Sequence, residues 1–169
     1  MIGVKADSLP EPLRGNPVAQ IAMIVPDLES AVALWSGILG RDDWSIYTYG
    51  PDNVPELSYR GEEGRFGMRL AFVGAGPQIE LIELLEGPSS YHEWHSRHGF
   101  GLHHLGFVVP SIKDAMIEMA QYDVDLIQSG YGYGANGDGG FAYYDTQDSV
   151  GAIVELIEIP STRRPSEVM

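Results

Sequence analysis

The sequence of 169 residues contains no cysteine, no long apolar segment and few basic residues. The absence of cysteine excludes disulfide bonds and metal sites built from thiolates. Apolar runs reach only five residues, as in Ile21–Val25, whereas a membrane-spanning helix needs about 20. The first twenty residues include Asp7, Glu11 and three prolines, which is unlike a secretory signal. Without a targeting segment, we expect a cytoplasmic protein.

Basic residues are scarce: ten lysines and arginines face 24 aspartates and glutamates, which gives a formal net charge of −14. A field of this sign repels phosphate backbones and anionic lipids, so we expect neither nucleic acid nor a membrane as partner. A small anionic substrate stays compatible with this charge if a few arginines are placed locally. The remaining composition is globular, with 44% hydrophobic residues, and the length fits one domain of about 150 residues. We therefore predict a single domain over residues 1–169.

Two segments of the chain resemble each other and mark an internal repeat. Gln20–Asp27 aligns with His104–Ser111, and each is a mostly apolar run of about six residues that ends in Val-Pro followed by Asp or Ser. Such a run predicts a strand, and since proline cannot continue a central strand, a helix capped by Asp27 or Ser111 is expected next. Apolar residues at spacings of three and four predict those two helices.

The ends of the two repeats also correspond. Gly76–Glu83 aligns with Gly151–Glu158, and both predict strands. Between these anchors lie further strand-like runs, at about Trp44–Tyr49, Glu56–Arg60, Met68–Val73, Val124–Gln128 and Phe141–Asp145. Each half therefore predicts a strand, a helix and about three strands. The fold class is α+β, with module 1 at about residues 19–84, module 2 at about residues 103–158, and a helix candidate between them at Ser90–His98.

Four polar residues occupy corresponding positions in these apolar strands. Gln20 and His104 open the first strand of each module, and Glu80 and Glu155 lie within the last strands. A carboxylate on an apolar strand face is costly unless it is paired, hydrogen-bonded or bound to a metal. If a pseudo-twofold axis relates the modules, the four side chains converge. One imidazole, one amide oxygen and two carboxylates then suit a divalent metal ion.

Each of these residues also has a simpler interpretation. The two glutamates could form a cross-strand salt bridge, Gln20 could bond to the backbone at a strand end, and His104 could be a hydrogen-bonded core histidine. The alternation of a strand places the neighbouring His103 on the opposite face, where we expect a structural or surface role.

Other features of the sequence are candidates for substrate contact. The glycine-rich stretch Ser129–Gly140 predicts a flexible loop that could serve as a lid, and its Tyr131 and Tyr133 could cover a substrate. Arg69 could hold a substrate carboxylate or pair with a nearby acid. The letters of Gly132–Gly137 match the dinucleotide-binding fingerprint, but a strand follows where that motif requires a helix, so we reject this interpretation. Three histidines in the predicted connecting helix indicate a solvated face: His92, His95 and His98.

Four segments, taken in order, resemble the vicinal oxygen chelate superfamily, which includes glyoxalase I, methylmalonyl-CoA epimerase, extradiol dioxygenases and the bleomycin-resistance proteins. They are Gln20–Asp27, Gln78–Glu83, Gly101–Val109 and Ile153–Ile157. The resemblance implies paired βαβββ modules that form a curved mixed sheet around a central metal or ligand cleft. It also implies metal ligands at Gln20, Glu80, His104 and Glu155. We expect the ion to be zinc, nickel, cobalt or manganese, and the protein to be a homodimer.

The activities of these relatives imply an enzyme, a metal-dependent isomerase, epimerase or lyase, that stabilises the enolate of a small carbonyl or acyl-thioester substrate. Glu155 matches the base of the family, and Glu80 is the second catalytic candidate. Methylmalonyl-CoA epimerases carry a second carboxylate where this chain has Arg69, and glyoxalase I carries a first-strand arginine that Ala22–Val25 lacks, so neither activity transfers directly. The alternative is a non-catalytic small-molecule binder of the bleomycin-resistance type. A non-haem iron dioxygenase is disfavoured, because such enzymes use two histidines and Gln20 stands at the first ligand position.

Overall fold

The predicted repeat is present in the computed structural model, which describes residues 10–163 and 165. Within these residues a short 3₁₀ turn, Glu11–Leu13, precedes four helices and ten strands. In chain order they are β1 (Gln20–Val25), α1 (Leu28–Leu39), β2 (Ser45–Tyr49), β3 (Glu56–Tyr59), β4 (Glu62–Glu63), β5 (Met68–Val73), β6 (Gln78–Leu84), α2 (Ser90–His98), β7 (Gly101–Val108), α3 (Ile112–Met119), β8 (Leu126–Tyr133), β9 (Gly139–Tyr144), α4 (Gln147–Val150) and β10 (Ile153–Glu158). No helix in this part of the chain is long and apolar enough to cross a membrane.

The ten strands described here pair into one mixed sheet, in the order β2-β5-β6-β1-β7-β10-β9-β8-β3-β4. In each module the first strand pairs in parallel with the last, β1 with β6 and β7 with β10. The two modules meet where β1 and β7 pair antiparallel, with Ala22 opposite His104. The predicted α+β class, with a curled mixed sheet, is therefore confirmed.

The helices that follow β1 and β7 begin at the predicted caps. The Asp27 side chain accepts a hydrogen bond from the Ser30 amide at 2.8 Å, and the Ser111 side chain accepts one from the Asp114 amide at 3.2 Å. Both helices bury their apolar residues against one face of the sheet. The other face carries a separate core cluster rich in aromatic side chains, and several of these line a cleft. Strand alternation thus divides the molecule into a helix-covered face and a cleft face.

The strand predicted at Glu56–Arg60 forms, but it pairs outside its own module. β3 runs antiparallel to β8 of the second module, with Glu56 opposite Tyr131. The hydroxyl oxygens of Ser58 and Ser129 lie 2.7 Å apart across this pair. The β3–β4 hairpin therefore covers the edge of β8, whose backbone groups would otherwise be unpaired.

The prediction of a flexible lid at Ser129–Gly140 is wrong. The paired strands β8 and β9 extend into this stretch from both sides, so that only residues 134–138 lie between them. Packing explains the glycines better than flexibility does. A Cβ atom at Gly130 would overlap the ring of Phe141 on the neighbouring strand, and a Cβ atom at Gly140 would overlap Ile112.

Candidate metal centre

Four neighbouring strands carry the four predicted ligands. β6, β1, β7 and β10 lie side by side in the sheet and contribute, in that order, Glu80, Gln20, His104 and Glu155. Gly106 of β7 pairs with Gln20 on one side and with Glu155 on the other. A Cβ atom at Gly106 would lie 2.9 Å from Gln20 Cβ and 2.7 Å from Ile157 Cδ1. A larger residue at this position would therefore displace the side chains of Gln20 and Ile157.

The four side chains meet at one buried point. His104 Nε2 lies 3.1 Å from Glu80 Oε2 and 3.0 Å from Glu155 Oε2. One ligand atom from each of these three residues lies within 4.8 Å of the others. All four residues, Gln20 included, expose 5% or less of their surface. The structure brings the four predicted residues together, and their role as metal ligands remains a prediction.

The Gln20 amide lies against both carboxylates. One end of the amide is 2.9 Å from Glu155 Oε2 and 3.3 Å from Glu80 Oε2, and the other end is 3.3 Å from the side-chain oxygen of Gln78. With its nitrogen toward the carboxylates, the amide donates two hydrogen bonds. With its oxygen toward them, it adds a third oxygen to the cluster. The second orientation suits a metal ligand, because oxygens that face one another without a proton between them need a cation.

The chemistry of this donor set fits a divalent cation. His104 Nε2 is buried and has no hydrogen bond of good geometry to any described residue, although two carboxylate oxygens lie close to it. Two ionised carboxylates beside one imidazole would carry net negative charge even with the imidazole protonated. Such charge is costly in a protein interior unless a counter-charge is present. A cation bound by one nitrogen and three oxygens supplies that charge and occupies the nitrogen.

In the metal-free chain a proton supplies part of this positive charge. Burial lowers the pKa of His104, but Glu155 and Glu80 together raise this pKa to about 9. Burial raises the pKa of Glu80, and His104 lowers it in part. At neutral pH an imidazolium therefore lies between the two carboxyl groups. A metal ion bound here would have to displace this proton, which would make its binding dependent on pH.

His103 does not lie on the opposite face, because the strand is irregular at this point. The pairing of β1 with β7 shifts register after Ala22, so that His104 and Leu102 face successive residues of β1 and His103 forms a bulge. His103 is 1% exposed, and its Nδ1 lies 2.9 Å from His104 Nδ1. Burial and the neighbouring His104 hold the pKa of His103 well below its usual value. A neutral His103 can accept the Nδ1 proton of His104, which leaves Nε2 of His104 to face the carboxylates.

An aromatic cleft lies over this centre. Its walls come from alternate residues of β5 and β9 and from tyrosines of other elements, chiefly Tyr49, Phe72, Tyr91, Tyr133, Phe141 and Tyr143. Most of these residues are missing from the sequence prediction. Alternation along β5 and β9 is a signal that could have found Phe72, Phe141 and Tyr143. Arg163, which also lines the cleft, carries no such signal because it follows the last strand.

Tyr133 lines the cleft, whereas Tyr131 does not. Lys113 Nζ lies 4.0 Å from the ring centre of Tyr131, which packs beside α3. The two tyrosines separate because the pairing of β8 with β9 shifts register between them, and Gly132 has a φ angle of +91° there. Tyr131 therefore does not line this cleft, and its role as a substrate contact stays a prediction.

Arg69 also lies away from the cleft. It alternates with cleft residues along β5 and so points to the helix-covered face. There its guanidinium pairs with Glu29 at 2.7 Å and with Glu83 at 2.9 Å. Of its two predicted roles, the structure supports the pair with nearby acids and not the contact with a substrate carboxylate.

Comparison with protein families agrees with this geometry. The family described as the Glyoxalase/Bleomycin resistance protein/Dioxygenase superfamily matches residues 19–144. The chain belongs to this superfamily. The matched stretch includes β1, β6 and β7, and it ends at the last residue of β9. The resemblance carried by the four sequence segments is thereby confirmed at the level of the superfamily.

One curated protein is similar to this chain in sequence, and solved structures are similar to it in fold. The uncharacterized protein YqjC of Bacillus subtilis (strain 168) is 33% identical over 121 residues, which is 70% of this chain and 83% of YqjC. The crystal structure of hypothetical protein BH1468 from Bacillus halodurans C-125 has a TM-score of 0.59 and 22% identity, covering 89% of this chain and 99% of that chain. A variant of methylmalonyl-CoA epimerase from Streptomyces coelicolor, in complex with 2-nitronate-propionyl-CoA, has a TM-score of 0.61 and 16% identity, with coverage of 86% and 99%. At these identities the two solved structures establish likeness of fold.

Proposed function

We propose that this superfamily member is a metal-dependent isomerase, epimerase or lyase that acts on a small carbonyl or acyl-thioester substrate. The observation that carries the proposal is the buried meeting point of Gln20, Glu80, His104 and Glu155, where one imidazole nitrogen, two carboxylate oxygens and one side-chain amide face one another. A methylmalonyl-CoA epimerase of similar fold is bound to methylmalonyl-CoA, which is an acyl thioester and supports this substrate class.

The same four residues would hold the metal ion. His104 would bind through Nε2, each glutamate through one carboxylate oxygen, and Gln20 through its amide oxygen. Zinc, nickel, cobalt and manganese all accept one nitrogen and three oxygens. An ion of this kind binds substrate oxygens and lowers the free energy of an enolate that forms when a neighbouring proton leaves.

Glu155 is the proposed base. It matches the base position of the superfamily, and its Oε2 lies 3.0 Å from His104 Nε2 at the floor of the cleft. From there it would accept a proton from a substrate carbon and return it to the same carbon, which gives an epimerase, or to the neighbouring carbon, which gives an isomerase. Glu80, whose Oε2 lies 3.1 Å from the same nitrogen, is the second candidate. The aromatic walls would keep water away from the transferred proton.

Elemental analysis tests the metal centre directly. Protein free of any tag is dialysed against zinc, nickel, cobalt or manganese, and the metal content per chain is measured. We expect close to one ion per chain in the wild-type protein and loss of that ion in His104→Ala. The matched control is His95→Ala in α2, whose ring packs against Phe100 and which is not one of the four residues of the centre. Absence of metal from the wild-type protein under every condition would exclude this function.

Exchange of substrate protons tests the base. A panel of acyl-CoA thioesters and 2-hydroxy ketones is incubated with the metal-loaded protein in D₂O, and NMR follows deuterium at the carbon beside the carbonyl. We expect Glu155→Gln to abolish exchange while circular dichroism shows an intact fold. The exposed Glu118→Gln of α3 is the control and should exchange normally. Normal exchange in Glu155→Gln would remove Glu155 from its proposed role.

A non-catalytic small-molecule binder is the second candidate, and the aromatic lining of the cleft favours it. Rings such as Tyr49, Phe72 and Tyr133 offer flat apolar surface to a ligand. This candidate predicts that ligand binding persists in His104→Ala, because the binder does not need the metal centre. If the protein is instead a metal-dependent enzyme, binding of its substrate should weaken in His104→Ala.

A further inference from the structure

The chain after β10 folds back over the turn between β8 and β9, and we name residues 159–163 the C-terminal strap. The Ala135 amide donates a hydrogen bond to the Thr162 carbonyl at 2.9 Å. The Ser161 amide donates another to Asp138 Oδ2 at 3.0 Å. A Cβ atom at Gly134 would lie 2.5 Å from Pro160 Cβ, so glycine lets the strap lie directly on the turn. The strap is thus fixed on both sides of Ser161.

This strap carries Arg163 to the wall of the cleft. The guanidinium carbon of Arg163 lies 5.0 Å from the ring centre of Phe72 and 5.8 Å from that of Tyr47. The cleft that Arg163 lines also includes Gln20, Glu80 and Glu155. A guanidinium that lies over aromatic rings is held by cation–π attraction, and its N–H groups remain directed along its edges.

The charge pairing of Arg163 sets it apart from the other described arginines. Among residues 10–163, six arginines contact a carboxylate oxygen within 4.0 Å: Arg14, Arg41, Arg60, Arg65, Arg69 and Arg97. Arg163 makes no such ion pair in this part of the chain, although the formal net charge is −14. Its Nε is buried and has no hydrogen-bond partner among the described residues. The rest of the half-buried guanidinium acts on Tyr133 and Glu80, whose pKa values it lowers in part. The buried Nε–H without a partner still costs free energy, which an incoming anion would recover.

We propose that Arg163 binds a carboxylate of the ligand whose oxygens reach the candidate metal centre; this rests on the proposed function. The planar fork of a guanidinium matches the two oxygens of a carboxylate. Three of the proposed metal ligands and Arg163 line the same cleft, so a short ligand with an acidic group would contact both. The substrate class narrows accordingly to carbonyl compounds or thioesters that bear a carboxylate.

Calorimetric titration with malonate tests Arg163. Malonate carries two carboxylates, and its neutral diamide, malonamide, is the matched probe without charge. Both are titrated into the full chain with bound manganese and into the metal-free chain. The variants are Arg163→Gln, Arg163→Lys and, as the control, Arg65→Gln, since Arg65 is an exposed arginine paired with Glu63. Elemental analysis and circular dichroism of each variant report metal content and fold separately.

We expect malonate to bind the wild-type protein at least about tenfold more tightly than Arg163→Gln, as is usual for a lost charged hydrogen bond. The malonate affinity of Arg163→Lys should lie between these two values, and that of Arg65→Gln should equal the wild-type value. The affinity for malonamide should be the same in all variants. Equal malonate affinity in wild type and Arg163→Gln would overturn the proposal, and so would failure of both wild-type forms to bind malonate. Absence of metal from the wild type, with malonate binding that still depends on Arg163, would overturn the proposed function alone.

Discussion

At the scale of single residues, the centre depends on which positive charge lies between the two glutamates. In the metal-free chain that charge is the His104 proton, and in the proposed holoprotein it is the metal ion. The Gln20 amide can serve both states by rotation, since its nitrogen donates to carboxylates and its oxygen binds cations. Rotation of this amide alone would therefore adapt Gln20 to either state.

This exchange predicts a pH-dependent stability of the metal-free protein. The pKa of His104 is raised from 6.5 to about 9 in the folded chain, so its contribution to stability is complete below about pH 6.5. It is lost as the pH rises through about 9, and the raised pKa of Glu80 acts with the same sign at lower pH. We expect the free energy of unfolding in urea, with a chelator present, to fall by roughly 3 kcal/mol across this window.

The isosteric variant His104→Gln is the control for that pH dependence. It cannot bind the proton, so its stability should change little between pH 6.5 and 9. An equally steep fall in His104→Gln would assign the pH dependence to other groups.

His103 provides a second test at the level of one residue. It lies 2.9 Å from His104, Nδ1 to Nδ1, and its ring contacts those of Tyr91 and Trp94. His103→Phe keeps the ring packing and removes the hydrogen-bond partner of His104. We expect metal affinity, measured by competition with a chromogenic chelator, to fall about 10–100-fold. In His95→Phe it should stay at the wild-type value; an equal loss there would show that the effect is not specific to His103.

The residues of the centre were predictable because regular strands keep their alternation. Glu80 and Glu155 lie on the predicted face of β6 and β10, and the repeat paired each with the first-strand residue of its module. His103 was misplaced because a bulge in β7 has no signature in the sequence. Arg163 was missed for a different reason: its position depends on how the strap folds over a distant turn, which local patterns do not encode.

At the scale of elements, the glycines of the β8–β9 hairpin make room for large side chains on neighbouring elements. Sequence alone suggested a flexible lid, because glycine is equally common in loops and at close contacts. The pairing of β3 with β8 was not predictable either, because strand pairing between modules leaves no pattern in the local sequence. Helix starts, in contrast, were predictable from Asp27 and Ser111, because a cap acts within three residues.

The packing role of these glycines predicts opposite effects for two glycine-to-alanine changes. Gly130→Ala places a methyl group against the ring of Phe141, so we expect a loss of about 1–3 kcal/mol in the free energy of unfolding. Gly37→Ala in α1 meets no atom within 4 Å, and we expect it to stabilise the helix by about 0.5–1 kcal/mol. Urea denaturation compares the two. A Gly130→Ala protein as stable as the wild type would favour a mobile loop after all.

At the scale of the whole molecule, the centre lies where the two modules join. The four proposed ligands come from β6 and β1 of the first module and from β7 and β10 of the second. An ion bound there contacts four central strands at once, so its binding free energy is coupled to the unfolding of both modules. The net charge of −14 also attracts divalent cations over distances longer than a contact. Both effects favour the metal-bound state of the folded chain.

Metal binding should therefore raise the melting temperature of the whole chain in one cooperative transition. With free metal at a hundredfold excess over its dissociation constant, the stabilisation is about 2.7 kcal/mol, or roughly 5–10 °C for a chain of this size. Differential scanning calorimetry with and without a chelator measures the shift. We expect it to vanish in His104→Ala and to persist in His95→Ala.

A second cluster of acidic side chains provides the control for this rise in melting temperature. Asp27, Glu29 and Glu83 also lie close enough together to hold a cation, but Arg69 already pairs with the two glutamates among them. Glu29→Gln should therefore keep the full rise in melting temperature. If the rise survives in His104→Ala and disappears in Glu29→Gln, the ion binds beside α1, and the buried residues between the modules are a charge network and not a metal centre.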